Sequence, residues 1–192
     1  MCSIIIRQMI AAIELNQIFS TRQFLSYGKR AAVDQVFYRL VKSKQIKRVA
    51  RGLFIKKGST WPTLEEIAIA KAKAFGRLLV EHSGKIASQL KLCEAPTKNF
   101  FDISGRSSKF NSHGSRIHYQ GIANRKMLLD GTELGRSVRA IWKQKRENFD
   151  SKCVAALRQA LCSFDSSMLP RLSLLMPAWI NDQIVPNYED SF

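Results

Sequence analysis

Arg30 and Gln35 are the side chains best suited to reading the edges of base pairs, because a guanidinium makes two parallel hydrogen bonds to guanine and a carboxamide makes two to adenine. Lys29, Ala31, Tyr38, Arg39 and Lys42 surround them, and Lys47, Arg48 and Arg51 follow shortly after. At about 100° per residue, Ala31, Gln35, Tyr38 and Lys42 share one face of a helix. Arg39 flanks that face on one side, Arg30 and Asp34 on the other. Such a face fits a major groove. Arg30 and Gln35 lie early in the helix, where a recognition helix meets bases, and Tyr38, Arg39 and Lys42 suit phosphate.

The elements that must hold these side chains are legible in Phe19 to Lys57. Ser20 and Gln23 have the spacing of a capping box, and Phe19 and Phe24 that of a hydrophobic staple, so a helix is expected to start there. Gly28 is expected to end it in the left-handed conformation, and Lys29 and Arg30 to open a second helix. In that helix Val33, Val36, Phe37, Leu40 and Val41 repeat at the spacing of one buried stripe. Ile46 to Ala50 and Leu53 to Ile55 then read as two strands joined by a turn at Arg51-Gly52. Helix, turn, helix and basic hairpin, in that order, describe a winged helix-turn-helix.

Charge supports the same reading. The chain of 192 residues carries 31 Lys and Arg against 15 Asp and Glu, a formal net charge of +16. Twelve of those cations fall in residues 1–60, against Glu14 and Asp34 alone. Between Lys29 and Lys57 there are ten cations and one acid. A positive patch of this density attracts a polyanion over a long range.

The opening segment places Ile4, Ile5, Ile6, Met9, Ile10 and Ile13 at helical spacing, with Arg7, Gln8 and Glu14 away from the stripe. It reads as a first helix packing across the other two, with a homodimer seam on DNA as the alternative. Gly58 to Pro62 break the pattern, which puts a boundary near residue 60: a winged helix-turn-helix at 1–60 and a C-terminal α+β domain at 61–192. Thr63 caps the next helix, with Glu65 and Glu66 in its first turn and Ile67, Ala70, Ala74 and Leu78 on one face. A short helix is expected from Gly84 to Leu92, stopped by Pro96. Two or three strands of a small antiparallel sheet follow between Thr97 and Ala123, with His118 and Tyr119 alternating in the last. Helices return at Thr132 to Gln144, Ser151 to Phe164 and Ser167 to Met176. The tail is anchored by Trp179 and Ile180 and ends acidic at Asp182, Glu189 and Asp190. The fold class is therefore α+β.

The motifs of common enzymes do not occur. There is no G-x-S-x-G and no glycine-rich nucleotide loop. Asp102, Asp130 and Glu133 fall on different predicted elements, unlike the clustered carboxylates of a metal-dependent nuclease. His113 and His118 could in principle pair as general acid and base, but their setting is that of surface residues. Cys2, Cys93, Cys153 and Cys162 are scattered without a C-x-x-C pair, as in a cytoplasmic chain with reduced thiols, and the histidines stand near no cysteine cluster. Trp61, Trp142 and Trp179 read as core or boundary anchors. No apolar run approaches the ~20 residues of a membrane span, and the start lacks the basic region of a signal peptide. Catalysis, metal and cofactor are accordingly not expected.

With these residues in view, Gly28 to Phe54 resembles the winged-helix segment of the abortive-infection E-type (AbiEi) antitoxin family. The likeness falls on Gly28, Arg30, Ala31, Ala32, Val33, Gln35, Arg39, Leu40, Ile46, Arg48, Val49, Arg51, Gly52, Leu53 and Phe54. It continues more weakly through His82 to Leu92 and Pro177 to Ile180, and departs at Lys29, where relatives carry a small N-cap. The resemblance implies a bacterial antitoxin-type transcriptional regulator: an N-terminal domain on double-stranded DNA at its own operator, repressing its own operon, and a C-terminal domain that counters a nucleotidyltransferase-like toxin encoded nearby. Two other classes remain beside it, a protein-interaction module with a basic face and a nuclease.

Overall fold

The computed structural model describes residues 2–189, so Asp190 of the acidic tail lies outside the described residues. The chain is mixed α+β. In order, its elements are α1 (Cys2–Ala12), β1 (Phe19–Ser20), a 3-10 helix (Thr21–Tyr27), α2 (Arg30–Lys42), β2 (Ile46–Ala50), β3 (Leu53–Lys56), α3 (Leu64–Ala74), β4 (Leu79–Glu81) and α4 (Ser83–Gln89). Then come β5 (Asn99–Ser104), β6 (Ser108–Ser112), β7 (Ser115–Ile122), α5 (Asn124–Leu128), α6 (Glu133–Gln144), α7 (Ser151–Cys162), α8 (Leu169–Ser173) and α9 (Ala178–Glu189). Two small sheets run β1-β3-β2 and β4-β5-β7-β6. The chain divides into two compact units, Met1–Arg77 with Lys109–Ile117, and Leu78–Ser108 with His118–Phe192.

The first unit is built around aromatic packing. Phe37 of α2 lies 5.3 Å from Phe24, 6.2 Å from Phe19 and 4.9 Å from Phe54 between ring centroids. Ile6, Ile10, Val33, Val36, Leu40 and Ile46 close the core around these rings. Of the opening stripe, Ile6 and Ile10 are buried and Met9 and Ile13 pack against them, while Ile4 is 63% exposed and lies off the face that α1 buries in this core. The staple forms, with Phe19 and Phe24 centroids 6.3 Å apart, and Gln23 Oε1 accepts from the Ser20 N–H at 2.9 Å.

The helix expected after Ser20 is a 3-10 helix instead. Only Thr21 and Phe24 are buried in it, and the three-residue turn of a 3-10 helix eclipses i and i+3, which suits a segment that buries just those two. Gly28 does not turn left-handed: its φ of 169° and ψ of 170° are extended, leading directly to Lys29 as N-cap of α2. In the hairpin, Ile46 pairs with Lys56 and Arg48 with Phe54, and a bulge between Arg48 and Ala50 shifts the register to Ala50 opposite Leu53. Phe19 and Ser20 pair with Phe54 and Leu53 from the other side, leaving β2 as one of the two edge strands, with Lys47 and Arg48 exposed. Charges there discourage pairing with another chain.

The expected boundary at residue 60 does not coincide with these units, because α3 stays with the first. Thr63 caps α3 by accepting from the Glu66 N–H at 3.2 Å, and Glu66 Oε2 accepts from the Thr63 N–H at 2.7 Å. Ile67, Ala68 and Ala72 are its buried positions, not a stripe ending at Leu78, and Leu78 is 66% exposed. The helix stops at Ala74 because Gly76 turns with φ +63°, and the chain then enters β4. The segment 109–117 also belongs to this unit: Ser112 Oγ donates to the Val49 carbonyl at 2.6 Å, and His113 lies 4.6 Å from the Trp61 ring.

The second unit packs α6, α7, α8 and α9 around Leu134, Val138, Ile141, Leu157, Leu172 and Ile180. Thr132 caps α6 by accepting from the Gly135 N–H, and Asp150 caps α7 by accepting from Lys152 and Cys153. Trp142 and Trp179 pack against this core from its edge, the latter edge-on to Phe149 at 5.7 Å.

Candidate nucleic-acid interface

α2 forms because its apolar positions recur every third and fourth residue, and that same periodicity presents its other face to solvent. Val33, Val36, Phe37 and Leu40 are buried, while Lys29, Arg30, Ala31, Gln35, Tyr38, Arg39 and Lys42 are all exposed. Tyr38 is 61% exposed, large for an aromatic ring with no core role. Lys47, Arg48 and Arg51 are exposed on the hairpin, where Gly52 turns with φ +80°.

These cations are not equally available. Arg30 Nε pairs with Asp34 Oδ2 at 3.0 Å, one turn on, in an exposed ion pair of the kind that contributes little and releases readily. Arg48 Nε donates to the Ala50 carbonyl at 3.4 Å, across the bulge. Lys56, one of the hairpin's basic residues, turns to α1 and donates to the carbonyls of Ala11 and Ile13, both at 2.8 Å. It thereby satisfies carbonyls at a helix C-terminus.

A groove of about 590 Å³ runs between α2, the Arg51-Gly52 turn and α3. Of the residues expected to bind, it gathers Arg30, Tyr38, Arg48 and Arg51, whereas Lys29, Ala31, Gln35, Arg39, Lys42 and Lys47 lie outside it. Arg22 and Lys71 also line it, and sequence reasoning missed both. Lys71 lies beyond the expected boundary, on a helix that reads as part of another domain. The i, i+4 spacing of Lys71 and Phe75 is the one signal that could have drawn attention to it.

Lys71 is only partly exposed in this groove. Burial first, then the charges of Arg51, Arg48 and Arg22, hold its pKa below the ordinary lysine range. Its ammonium donates to the Arg51 carbonyl and lies 5.0 Å from the centre of the Phe75 ring. The Arg22 guanidinium sits over the same ring at 4.1 Å.

The second unit uses its charges differently. Arg139 is fully buried; its guanidinium bonds Asp130 Oδ1 and the Glu81 carbonyl and faces Asp102 Oδ2 at 3.5 Å. Asp102 Oδ2 also accepts from the Ser83 N–H at 2.9 Å and the Ser83 hydroxyl at 2.6 Å, and its Oδ1 lies 3.8 Å from His82 Nε2. Asp102 and Asp130, which fall on separate predicted elements, thus meet on one arginine. His118 packs 5.0 Å from Phe100, and His113 belongs to the other unit, 4.6 Å from Trp61, so the two histidines weighed and set aside as an acid–base pair each sit against a separate aromatic ring. Among the described residues, no three His, Cys, Asp or Glu side chains are grouped to hold a metal ion. Nor is any described helix long and apolar enough to cross a membrane.

Fold and site together define a mixed α+β protein whose first unit presents a basic helix, hairpin and groove. Over residues 5–165 the chain matches a family described as a family of unknown function, DUF6088, and it belongs to that family. Comparison with curated proteins gives no match.

Proposed function

We propose that the chain is a sequence-specific double-stranded DNA-binding protein of the winged-helix kind. In this reading it acts as an antitoxin-like regulator that represses its own operon, counters a nucleotidyltransferase-like toxin encoded nearby and performs no catalysis. The observation that carries the DNA-binding reading is the exposed face of α2, where Arg30, Gln35, Tyr38, Arg39 and Lys42 lie away from the buried stripe of Val33, Val36, Phe37 and Leu40, beside a basic hairpin. The resemblance of Gly28 to Phe54 to AbiEi-type antitoxins supports the regulatory part. Arg30 and Gln35 read bases, Tyr38, Arg39 and Lys42 touch phosphate, and Lys47, Arg48 and Arg51 hold the backbone from the hairpin.

The test is titration of the full chain against labelled DNA from upstream of its own gene, with scrambled competitor, at two salt concentrations. Binding that survives competitor is expected. Arg30→Ala or Gln35→Ala should cost about 1–3 kcal/mol on the specific site and relax one base position. Lys42→Ala should weaken all sequences alike and lower the salt slope by about one. Equal losses for both kinds of variant on every DNA would refute the assignment of readers and phosphate contacts. Weak binding to both DNAs that salt erases would leave a basic protein-binding face as the better account.

A further inference from the structure

The groove between α2, the Arg51-Gly52 turn and α3 holds five cations, Arg22, Arg30, Arg48, Arg51 and Lys71, and Asp34 is the one acid that lines it. Asp34 is engaged by Arg30. Crowding of like charges around a half-buried lysine is unfavourable within the chain and is relieved by an anion. Three cations of the second unit are matched by acids instead: Arg136 and Lys85 pair with Glu81, and Arg139 with Asp102 and Asp130. In the groove an aromatic ring takes the place of acids. Phe75 supports Arg22 and Lys71 through its face, which orients both cations without neutralising them and leaves guanidinium N–H edges able to donate.

On the DNA-binding reading above, the position of the groove points to the anion. A helix in the major groove and a hairpin turn over the neighbouring minor groove must have between them the DNA strand that separates those grooves. We propose that this groove seats the phosphodiester backbone of one DNA strand, with Arg22 and Lys71 as phosphate-binding residues beside Arg48 and Arg51. The proposal rests on the DNA-binding reading above and extends it to α3, a helix outside the predicted helix-turn-helix and hairpin.

The experiment uses the full chain carrying Arg22→Gln and Lys71→Gln together, titrated on upstream and scrambled DNA across a salt series. Each lost phosphate contact lowers the slope of log K against log salt by about 0.9, so the pair should lower it by roughly two. Affinity should fall by the same factor on both DNAs, leaving the specificity ratio unchanged. A charge-preserving pair, Arg22→Lys with Lys71→Arg, should keep the wild-type slope, which separates lost charge from lost folding. If the wild-type chain binds DNA and the glutamine pair keeps its slope, the groove proposal is overturned and the DNA-binding reading stands. If the wild-type chain binds no DNA, both fall. Tripolyphosphate titrated alone distinguishes the other source of phosphate: loss of its binding in the glutamine pair, with an unaltered DNA slope, would assign the groove to a small ligand and overturn the proposal.

Discussion

Replacing Asp102 by asparagine changes almost no volume but removes the charge on which the buried arginine of the second unit depends. Asp102 is 1% exposed and Arg139 likewise 1%. At the 3.5 Å between Arg139 Nη2 and Asp102 Oδ2, the Coulomb attraction at an effective dielectric of ~20 is roughly 5 kcal/mol. Breaking a buried pair by removing one partner typically costs about 3–5 kcal/mol, because the other charge stays buried. Asp130 remains bonded to the same guanidinium, which places the expected loss at the low end, ~3 kcal/mol. The two Ser83 bonds weaken as well, since both lose a charged acceptor. Urea unfolding followed by tryptophan fluorescence reads the change, because Trp142 lies on α6 one turn beyond Arg139 and Trp179 packs on the same core. With a urea m-value of about 2 kcal/mol/M, the midpoint should fall by about 1.5 M. Asp130→Asn should cost less, since the Asp130 side chain is 29% exposed. A loss below about 1 kcal/mol in Asp102→Asn, or a larger loss in Asp130→Asn, would refute Asp102 as the principal counter-charge.

Two further expectations concern the hairpin and the acid limb of stability. Gly52→Ala places a side chain at φ +80° without a clash, its Cβ meeting only Thr21 Oγ1 at 3.9 Å. The cost is therefore conformational, about 1–2 kcal/mol of stability, measured as a lowered melting temperature; an unchanged melting temperature would show that the turn relaxes freely. Burial opposes the charge on Glu81, but hydrogen bonds and attraction from Lys85 and Arg136 outweigh it and hold the carboxyl below its ordinary value. A depressed carboxyl stabilises above its unfolded value, about 4.3, and loses that contribution as pH falls through the folded one. Glu81→Gln should accordingly flatten the pH dependence of stability below about pH 4.5, and an unaltered acid limb in unfolding curves would contradict it.

What was legible in the sequence is what depends on near neighbours. The stripe Val33, Val36, Phe37, Leu40 and the reciprocal bonds of Thr63 and Glu66 lie within single helices, so spacing alone reveals them. The strands between Asn99 and Ile122, expected as two or three, are three, and they too stand out between their turn residues. β1 and β4 did not, because two and three residues carry no period, and β1 exists only through pairing of Phe19 and Ser20 with Phe54 and Leu53. The 3-10 helix was missed for a related reason: Ser20 and Gln23 announce a helical start, but which positions the core will cover decides the number of residues per turn. Arg139 is the clearest case. A lone arginine in a helix reads as solvated, and nothing near it in sequence reports that Glu81, Asp102 and Asp130 converge on it.

The candidate interface follows the same division, and the consequence is that a count of charges misstates it in both directions. Ten cations and one acid between Lys29 and Lys57 give the impression of a uniformly available basic segment. Lys56 is committed to the carbonyls that end α1, and Arg30 is shared with Asp34, so fewer of the ten face a ligand unencumbered. Arg22 and Lys71 come from outside that span and join Arg48 and Arg51 on one groove. Long-range attraction depends on net charge, whereas the salt slope depends on how many phosphates are actually contacted. If the groove seats DNA as proposed, the two are set by different features of this chain: the first by composition, the second by packing of α3 with the hairpin, which puts a lysine 20 positions beyond Arg51 in hydrogen-bond contact with its carbonyl.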